Sequence, residues 1–283
     1  MTIELKREQF SKVKRLITDL DIQINCLGVI NRDIKGQIWV DNVSSPQTAM
    51  LIDNIWVIYL LGDPNNKQFN IGAGEIIKNY IFPHQLADKE VHREWILDYF
   101  SEGWKSKIDT ELNLTNWVEV ELWHYKLGEL KQLNWREQIP DDHKVMQVDE
   151  EFLGKKYLKN HSSISSWIYQ RWKNEQDFFE RGFCFCLVKE DKEIVSWAMS
   201  DWSTQNYIIM GIETDENYRE KGFAAIVTSA AAEYCKSKGR DLRWFCSAQN
   251  IGSWKTAEKV GFQKLKEQRI IIGEFNTLIE IEI

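Results

Sequence analysis

The stretch from Tyr207 to Cys235 reads YIIMGIETDENYREKGFAAIVTSAAAEYC, and its character changes twice along its length. The first eight residues form a largely apolar run that is typical of a buried strand ending at Thr214. A short polar turn follows, and the alanine-rich segment from about Gly222 to Ser237 predicts a helix. The sequence therefore predicts a strand, a turn and a helix in direct succession.

The turn before this helix has residues suited to holding a diphosphate. The first N–H groups of a helix lack partners within it, and the helix dipole adds partial positive charge there. Gly222 lets the backbone approach an anion closely, Ala224 keeps the helix start narrow, and Arg219 and Lys221 can add charged contacts. An ordinary turn with solvated charges is the alternative, because such a short motif is weakly specific by itself.

The rest of the second half predicts a mixed α/β domain around this segment. We expect the elements in the order β, α, β, β, β, α, β, α, β. Their ranges are a strand over 145–148, a helix over 162–181, strands over 183–189, 193–201 and 207–214, a helix over 222–237, a strand over 242–247, a helix over 251–260 and a strand over 264–272.

The first half also predicts alternating helices and strands. The expected elements are a helix over 6–20, a strand over 36–43, a helix from Ser45-Pro46 through Asp53, a strand over 55–61, helices near 72–82 and 89–108, and a strand over 116–127. The charged connection around Pro140 is the best boundary. We therefore expect an N-terminal α/β domain over 1–135 and a second domain over 136–283.

Charge and cysteine content exclude several classes of protein. The chain of 283 residues carries 36 Lys and Arg against 43 Asp and Glu, a net charge of −7 that disfavours nucleic-acid binding. Its start lacks a secretory signal pattern, and no apolar run is long enough to span a membrane. The five cysteines contain no CxxC pair, which favours reduced buried thiols and no metal site. We expect a cytoplasmic protein whose oligomeric state the sequence leaves open.

The segment Arg219-Glu-Lys-Gly222-Phe-Ala224 resembles motif A of the GNAT superfamily of acyl-CoA N-acyltransferases. In that superfamily, a Gln/Arg-x-x-Gly-x-Gly/Ala pattern follows the fourth strand and binds the acyl-CoA diphosphate. The resemblance implies that Gly222, Phe223 and Ala224 offer backbone amides, with Arg219 and Lys221 at the edge. It also implies that the strand end from Ile212 to Thr214 pairs through its backbone with the pantetheine arm of acetyl-CoA.

A second match follows at the spacing of the superfamily. Asn250-Ile-Gly-Ser253 and Lys259-Val-Gly-Phe262 resemble its Asn-x-x-Ala/Ser and Lys-x-Gly-Phe segments. The resemblance implies that Asn250 and Ser253 contact coenzyme A near its pantetheine part. Helix capping is the alternative role, because both residue types favour that position.

The usual general acid of the superfamily is missing from its motif position. Many members have a tyrosine seven residues after the asparagine, and this chain has Ala257 there. A thiol with a pKa of about 8.5 is a fair leaving group, so acid assistance is useful but dispensable. The substitutes are Tyr218, Tyr234, Cys246 or water.

The chemistry also needs a group that takes a proton from the acceptor amine. Glu213, on the predicted fourth strand, is our candidate for this base, directly or through water. A solvated strand carboxylate is the alternative reading. His124 and His143 are weaker candidates, because nothing in the sequence places either one in the cleft.

Further residues point to a narrower group. The segments Gly211-Ile-Glu-Thr214 and Trp244-Phe-Cys246, with Ile38-Trp-Val-Asp41 upstream, resemble the zwittermicin A resistance acetyltransferases. In addition, Asn42-Val-Ser-Ser-Pro-Gln-Thr-Ala49 parallels Asn250-Ile-Gly-Ser-Trp-Lys-Thr-Ala257. Either the first half is a degenerate GNAT-like repeat without a cofactor site, or the similarity is due to chance.

The resemblance implies an α/β (α+β) GNAT fold with a mixed central sheet in the C-terminal half. The expected function is transfer of an acetyl group from acetyl-CoA directly to a primary amine of a small molecule, which makes the protein an N-acetyltransferase. A non-catalytic acyl-CoA-binding or interaction module on the same scaffold is the alternative. Aminoacyl transfer from tRNA is disfavoured by the acidic balance.

Overall fold

The computed structural model describes residues 1–88, 94–204 and 206–275. The chain folds into two compact units, one formed by residues 1–122 with the segment that begins at Gln268, the other by residues 123–267. This division differs from the predicted one at 135/136, because the first break comes at Leu122 and the chain returns to the first unit near its end.

The first unit contains most of the helices and strands of the N-terminal half. In chain order they are β1 (Ile3–Glu4), a 3₁₀ helix (Arg7–Leu16), α1 (Ile24–Ile30), β2 (Gly36–Val40), β3 (Thr48–Asp53), β4 (Ile58–Gly62), α2 (Lys67–Ile76), a π-helical turn (Ile77–Ile81), α3 (Phe82–Ala87), β5 (Glu94–Tyr99), a 3₁₀ turn (Glu102–Trp104), α4 (Lys105–Thr110) and β6 (Trp117–Leu127), which continues into the second unit.

The second unit contains the remaining elements. In chain order they are a 3₁₀ turn (Trp135–Gln138), β7 (His143–Gln147), α5 (Glu150–Leu153), α6 (His161–Arg171), α7 (Glu175–Arg181), β8 (Cys184–Lys189), β9 (Glu193–Ser203), β10 (Tyr207–Thr214), a 3₁₀ turn (Glu216–Tyr218), α8 (Phe223–Ser237), β11 (Asp241–Ser247), α9 (Ile251–Val260) and β12 (Phe262–Glu274), whose last residues belong to the first unit.

Strands of the first unit follow the order β1-β2-β3-β4-β5-β12. The β4–β5 pair is parallel, and the β1–β2, β2–β3, β3–β4 and β5–β12 pairs are antiparallel. The prediction of a helix through Asp53 is wrong, because residues 48–53 form β3. All six of its residues are buried, so the strand lacks the alternation that would have identified it.

The prediction of a helix over 89–108 is wrong for its middle part. Residues 94–99 form β5, which pairs in parallel with β4, and a helix begins only at Lys105. Residues 89–93 lie outside the described residues.

The predicted correspondence between the two halves is also wrong in its register. Residues 42–49 form a turn that leads into β3, whereas Asn250–Ala257 caps and begins helix α9. Identical polar residues at equal spacing therefore adopt different structures, and any repeat must align other elements.

Strands of the second unit follow the order β6-β11-β10-β9-β8-β7. Pairing is parallel between β10 and β11 and antiparallel in the β7–β8, β8–β9 and β9–β10 pairs, so the sheet is mixed, as predicted. The bounds of β10 and α9 match the sequence predictions. The predicted helix over 162–181 is two helices, because Asn174 caps the start of α7 by accepting the Asp177 N–H.

Two apolar clusters cover the opposite faces of this sheet. On the face covered by α8, here the α8 face, Met210 and Ala198 pack against alanines of α8 such as Ala225 and Ala231. On the other face, here the α6 face, Trp197 and Met199 pack against Ile164 and Ile168 of α6. Residues directly opposite on antiparallel strands share a face, so the register assigns the residues of β10 to one side or the other.

The first unit buries a carboxyl group that has a measurable consequence. Asp98 on β5 is 8% exposed, and burial, with the nearby Asp53 charge, raises its pKa to about 7. At pH values between the ordinary pKa of an aspartate and about 7, the Asp98 carboxyl keeps its proton in the folded protein. In the unfolded chain the same carboxyl has already released its proton. The free energy of unfolding therefore falls as pH rises through that window.

We expect Asp98→Asn to flatten this pH dependence. The variant removes the buried charge, so its melting temperature exceeds that of the wild type by several degrees at about pH 8, with a smaller gain at about pH 5. Thermal melts at both pH values measure the effect, and Asp109→Asn, at an exposed position of the same unit, is the control. An equal shift at both pH values contradicts the assignment.

Candidate functional site

The sheet of the second unit opens between its two parallel strands. Pairing of β10 with β11 runs from Tyr207 opposite Asp241 to Ile209 opposite Arg243. Strand β10 continues to Thr214 with no partner on its β11 side among the residues that the structure describes. The register of β10 on β9 also shifts between Ile209 and Met210, at the level where the gap begins. The backbone edge of 210–214 is therefore open to pair with a ligand.

The turn after β10 has an unusual backbone. Glu220 and Gly222 both adopt positive φ angles, +64° and +81°, with Lys221 between them. Left-handed backbone at a non-glycine residue is uncommon and typical of sites where backbone groups are held in a fixed orientation. The ring of Tyr218 stacks on that of Phe223 at 6.3 Å between centroids, which ties the turn to the first residue of α8.

Five consecutive backbone amides at this turn point to an anion site. Helix α8 makes its first backbone hydrogen bonds from the N–H groups of Ala225 and Ile226 to the carbonyl of Gly222. Within the described part of the chain, the N–H groups of residues 220–224 have no protein acceptor. These donors stand at the N-terminus of a helix of 15 residues, whose dipole favours negative charge.

The predicted diphosphate residues are brought together at this turn. Arg219 and Lys221 are exposed, and each touches the local backbone: Arg219 Nε donates to the Thr214 carbonyl at 3.3 Å and Lys221 Nζ to the Asn217 carbonyl at 3.0 Å. Both cations therefore lie beside the free amides. The side chain of Phe223 is buried in the core, so only its backbone faces the turn.

The predicted pantetheine strand lies along the gap. Ile212 packs its side chain on the α8 face, and the Thr214 and Ser196 hydroxyls are 2.7 Å apart. The side chains of Ile212 and Thr214 thus contact other parts of the protein. A ligand in the gap would therefore pair with the backbone of this strand end, as the resemblance implies.

Asn250 and Ser253 occupy helix-capping positions. The Asn250 side chain accepts the Ser253 N–H at 3.1 Å and begins α9. The Ser253 hydroxyl accepts the Trp244 indole N–H at 3.1 Å, which links α9 to β11. The geometry thus matches the capping alternative, and the Asn250 side-chain amide keeps its two N–H donors for a ligand.

None of the three side chains considered as a substitute for the general acid has surroundings that favour this role. Ala257 is fully buried, so its position has no room for a tyrosine. The Tyr218 hydroxyl donates to Glu193 at 2.7 Å, and this hydrogen bond raises its pKa. Tyr234 packs on Phe183 near the other end of α8. Burial raises the pKa of Cys246, which makes it a poor acid.

Glu213 projects from the open strand onto the α6 face. It lies directly opposite Trp197, whose side chain packs on that face, and its own side chain is exposed. Partial burial raises the pKa of Glu213, while the Arg219 charge opposes the rise. A carboxylate with a raised pKa beside the gap suits proton transfer better than an ordinary surface glutamate.

The two histidine candidates have different surroundings. The ring of His124 is 5.9 Å from that of Phe245, and both residues alternate with neighbours that face α8, so they lie on the α6 face. The His143 ring lies 5.0 Å from that of Phe223, with its Nδ1 2.6 Å from Asp142. Only His124 therefore shares a face with Glu213.

Sequence reasoning missed one acidic residue of this region, Asp201. The register shift in β9 makes it an extra residue between Ser200, opposite Met210, and Trp202, opposite Ile209. Its Oδ1 accepts the Trp167 indole N–H at 2.8 Å, and Arg171 Nε approaches the same oxygen at 3.6 Å. Burial raises the pKa of Asp201 despite Arg171. The available signal was a carboxylate near the end of β9, after seven consecutive buried residues.

The described residues contain neither a metal-binding cluster nor a membrane-spanning helix. Across 1–88, 94–204 and 206–275, no group of three or more His, Cys, Asp or Glu side chains could hold a metal ion. No helix in those ranges is both long and apolar enough to cross a bilayer.

Comparisons with known proteins bear on the family and the fold. A family model described as GNAT acetyltransferase matches residues 16–271, well over half of the chain. The comparison with curated proteins found no match.

Solved structures with the same fold include three that span nearly the whole chain. A GCN5-related N-acetyltransferase-like protein from Streptococcus suis is 20% identical, with a TM-score of 0.71, and the match covers 95% of this chain and 99% of that one. A GCN5-related N-acetyltransferase from Sphaerobacter thermophilus is 11% identical, with a TM-score of 0.61 and coverage of 96% and 95%.

A tandem GNAT protein from the clavulanic acid biosynthesis pathway is 10% identical, with a TM-score of 0.57 and coverage of 97% and 98%. At these identities the likeness concerns the fold alone, and it confirms the predicted mixed α/β GNAT fold.

Proposed function

The chain belongs to the GNAT acetyltransferase family, and from this premise we propose that it transfers an acetyl group from acetyl-CoA directly to a primary amine of a small molecule. The observation that carries the proposal is the row of free amides at 220–224 beside an open strand edge. The amides bind the diphosphate, and the edge of 212–214 pairs with the pantetheine arm, so the thioester reaches the gap between β10 and β11.

Each predicted cofactor residue has a role in this proposal. Gly222, Phe223 and Ala224 donate backbone N–H groups to phosphate oxygens, and Arg219 and Lys221 add charge at the edge of the turn. Asn250 keeps its cap and offers its remaining N–H donors to the pantetheine part, while Ser253 orients β11 through Trp244.

Direct transfer is favoured over a covalent intermediate on the enzyme. All five cysteines are buried, and burial raises the pKa of Cys184, Cys235 and Cys246 among them. A buried thiol with a raised pKa supplies little thiolate nucleophile. Glu213 instead removes a proton from the amine, which then attacks the thioester, and coenzyme A leaves as a thiol or thiolate.

Among the described residues of the first unit, the corresponding helix start has no comparable row of free amides. Helix α2 follows β4 and precedes its parallel partner β5, just as α8 lies between β10 and β11 in the chain, but Asn66 caps α2 by accepting the Phe69 N–H at 3.2 Å. We infer that this unit is a degenerate GNAT-like copy. The support is the order of the strands, which is the same in both units. Each unit has an antiparallel meander followed by a strand that pairs in parallel with it, and the last strand of each unit comes from the other half of the sequence.

The narrower resemblance to the zwittermicin A resistance acetyltransferases stays a prediction from sequence motifs, as does the cytoplasmic location. A non-catalytic acyl-CoA-binding module is the competing proposal, supported by Ala257 at the usual tyrosine position.

Calorimetric titration with acetyl-CoA tests the proposal. We expect saturable binding with a stoichiometry of one per chain, since the proposal assigns a single diphosphate site, the free amides of 220–224 in the second unit. No binding at millimolar acetyl-CoA would end the assignment. Thiol release with a panel of primary amines then separates the two proposals, because a binding module takes up acetyl-CoA without turnover.

A further inference from the structure

We infer that the acceptor carries two positively charged groups, and that Asp201 binds the one that does not react. This inference rests on the proposed function. It names Asp201 as a residue that determines acceptor specificity and a dicationic small amine as the substrate class.

We place the acceptor on the α6 face, because the exposed side chain of Glu213 lies there. Helix α8 and the core cluster around it cover the other face of the sheet, where Met210, Ile212 and Cys246 are packed. A thioester in the gap between β10 and β11 is therefore reached from the side on which Glu213 projects. Asp201 stands on this same face, because its side chain contacts Trp167 and Arg171 of α6.

Asp201 reaches over the strand that borders the gap. A Cβ atom added to Gly211 would lie 3.7 Å from Asp201 Oδ1, and Gly211 belongs to β10. Gly211 and Glu213 point to the same face and are two residues apart, which is about 7 Å along a strand. Asp201 therefore reaches the level of Gly211, and Glu213 stands about 7 Å further along the same face of β10.

An apolar surface adjoins Asp201. The same added Cβ at Gly211 would come within 2.5 Å of the Trp167 ring, so this ring covers the glycine in direct contact with the backbone. Asp201 and Trp167 thus meet at Gly211, and Glu213 projects from the same face of β10 two residues further on. Two carboxylates and one aromatic ring on one face complement an acceptor with two cationic groups joined by a short hydrocarbon part.

The charge on Asp201 is only partly compensated. Oδ1 receives the Trp167 N–H and the more distant Arg171 Nε, whereas Oδ2 has no partner in the described ranges. The side chain as a whole is 16% exposed, so the carboxylate is only partly hydrated. A carboxylate in that position gains much from an ammonium group that donates hydrogen bonds to Oδ2.

The experiment compares putrescine with n-butylamine, which has the same carbon chain and one amino group. Calorimetry first establishes coenzyme A binding, and both amines are then titrated into the protein saturated with coenzyme A, which cannot react. We expect putrescine to bind at least about tenfold more tightly than n-butylamine to the wild type.

Asp201→Asn is expected to bring the two affinities within about twofold, while leaving coenzyme A binding unchanged. The asparagine keeps an oxygen for the Trp167 N–H, so the fold is preserved. Asp109→Asn is the matched control, because Asp109 Oδ1 likewise accepts an indole N–H, from Trp117 at 2.8 Å, and lies in the first unit.

Equal affinities of the wild type for the two amines, or a preference that survives Asp201→Asn, would overturn this inference alone. Failure of coenzyme A to bind would overturn the proposed function and this inference with it.

Discussion

Replacing Gly222 by tryptophan is expected to reduce the affinity for acetyl-CoA at least about 100-fold, which corresponds to about 2.8 kcal/mol. Gly222 has a φ of +81° and sits in the middle of the free amides of 220–224. An indole there covers the donors and prevents the diphosphate from approaching the backbone. Titration calorimetry with acetyl-CoA measures the loss.

The chain offers a matched control for this variant. Gly239 also has a positive φ, +64°, and an added Cβ there meets nothing within 4 Å. Gly239→Trp therefore carries the same kind of backbone penalty, about 1–2 kcal/mol, but places the indole beyond the other end of α8. If both variants bind acetyl-CoA equally well, the turn does not hold the cofactor, whereas selective loss in Gly222→Trp supports the proposed site.

Glu213→Gln is expected to lower kcat about 100-fold while leaving the affinity for acetyl-CoA unchanged. General bases contribute about 10²–10⁴-fold, and glutamine has a similar shape but takes up no proton. The pKa of Glu213 is raised, and the base works only when deprotonated, so the wild-type rate falls as pH drops through this value. In the variant that acidic limb disappears.

Steady-state rates against pH, with binding measured separately, check this expectation. Glu180→Gln is the control, because Glu180 is an exposed residue of α7 whose side chain only accepts from Gln176. A variant that keeps the wild-type kcat and the same acidic limb contradicts the role of Glu213. His124, which lies on the same face, would then be the next residue to replace.

Much of the second unit could be predicted because its elements carry local signals. The apolar run of 207–214, the alanines of α8 and the asparagine that begins α9 each specify their element within a few residues. The turn at Gly222 was also predictable, because a glycine stands there between a polar stretch and an alanine-rich helix.

The errors arose where local signals are ambiguous or absent. Strand β3 is buried on both faces, so Met50, Leu51 and Ile52 show no alternation, and the preceding Pro46 suggested a helix start instead. Asp201 was overlooked because its role depends on a register shift between two strands, which no single segment encodes. The last strand of each unit likewise comes from the other half of the sequence, so its pairing depends on contacts between residues far apart in the chain.

The first unit cannot complete its set of strands until nearly the whole chain has been synthesised. Strand β12, at residues 262–274, pairs with β5 of the first unit through Ile270–Glu274. A ribosome that has finished β6 must add about 150 further residues before this partner exists, which takes about 10–30 s at ordinary translation rates. Throughout that interval, the backbone N–H and C=O groups of β5 that later pair with β12 are available to other chains in the cell. A fragment that stops after β6 keeps that edge permanently, so the first half of the sequence is a poor unit for expression by itself.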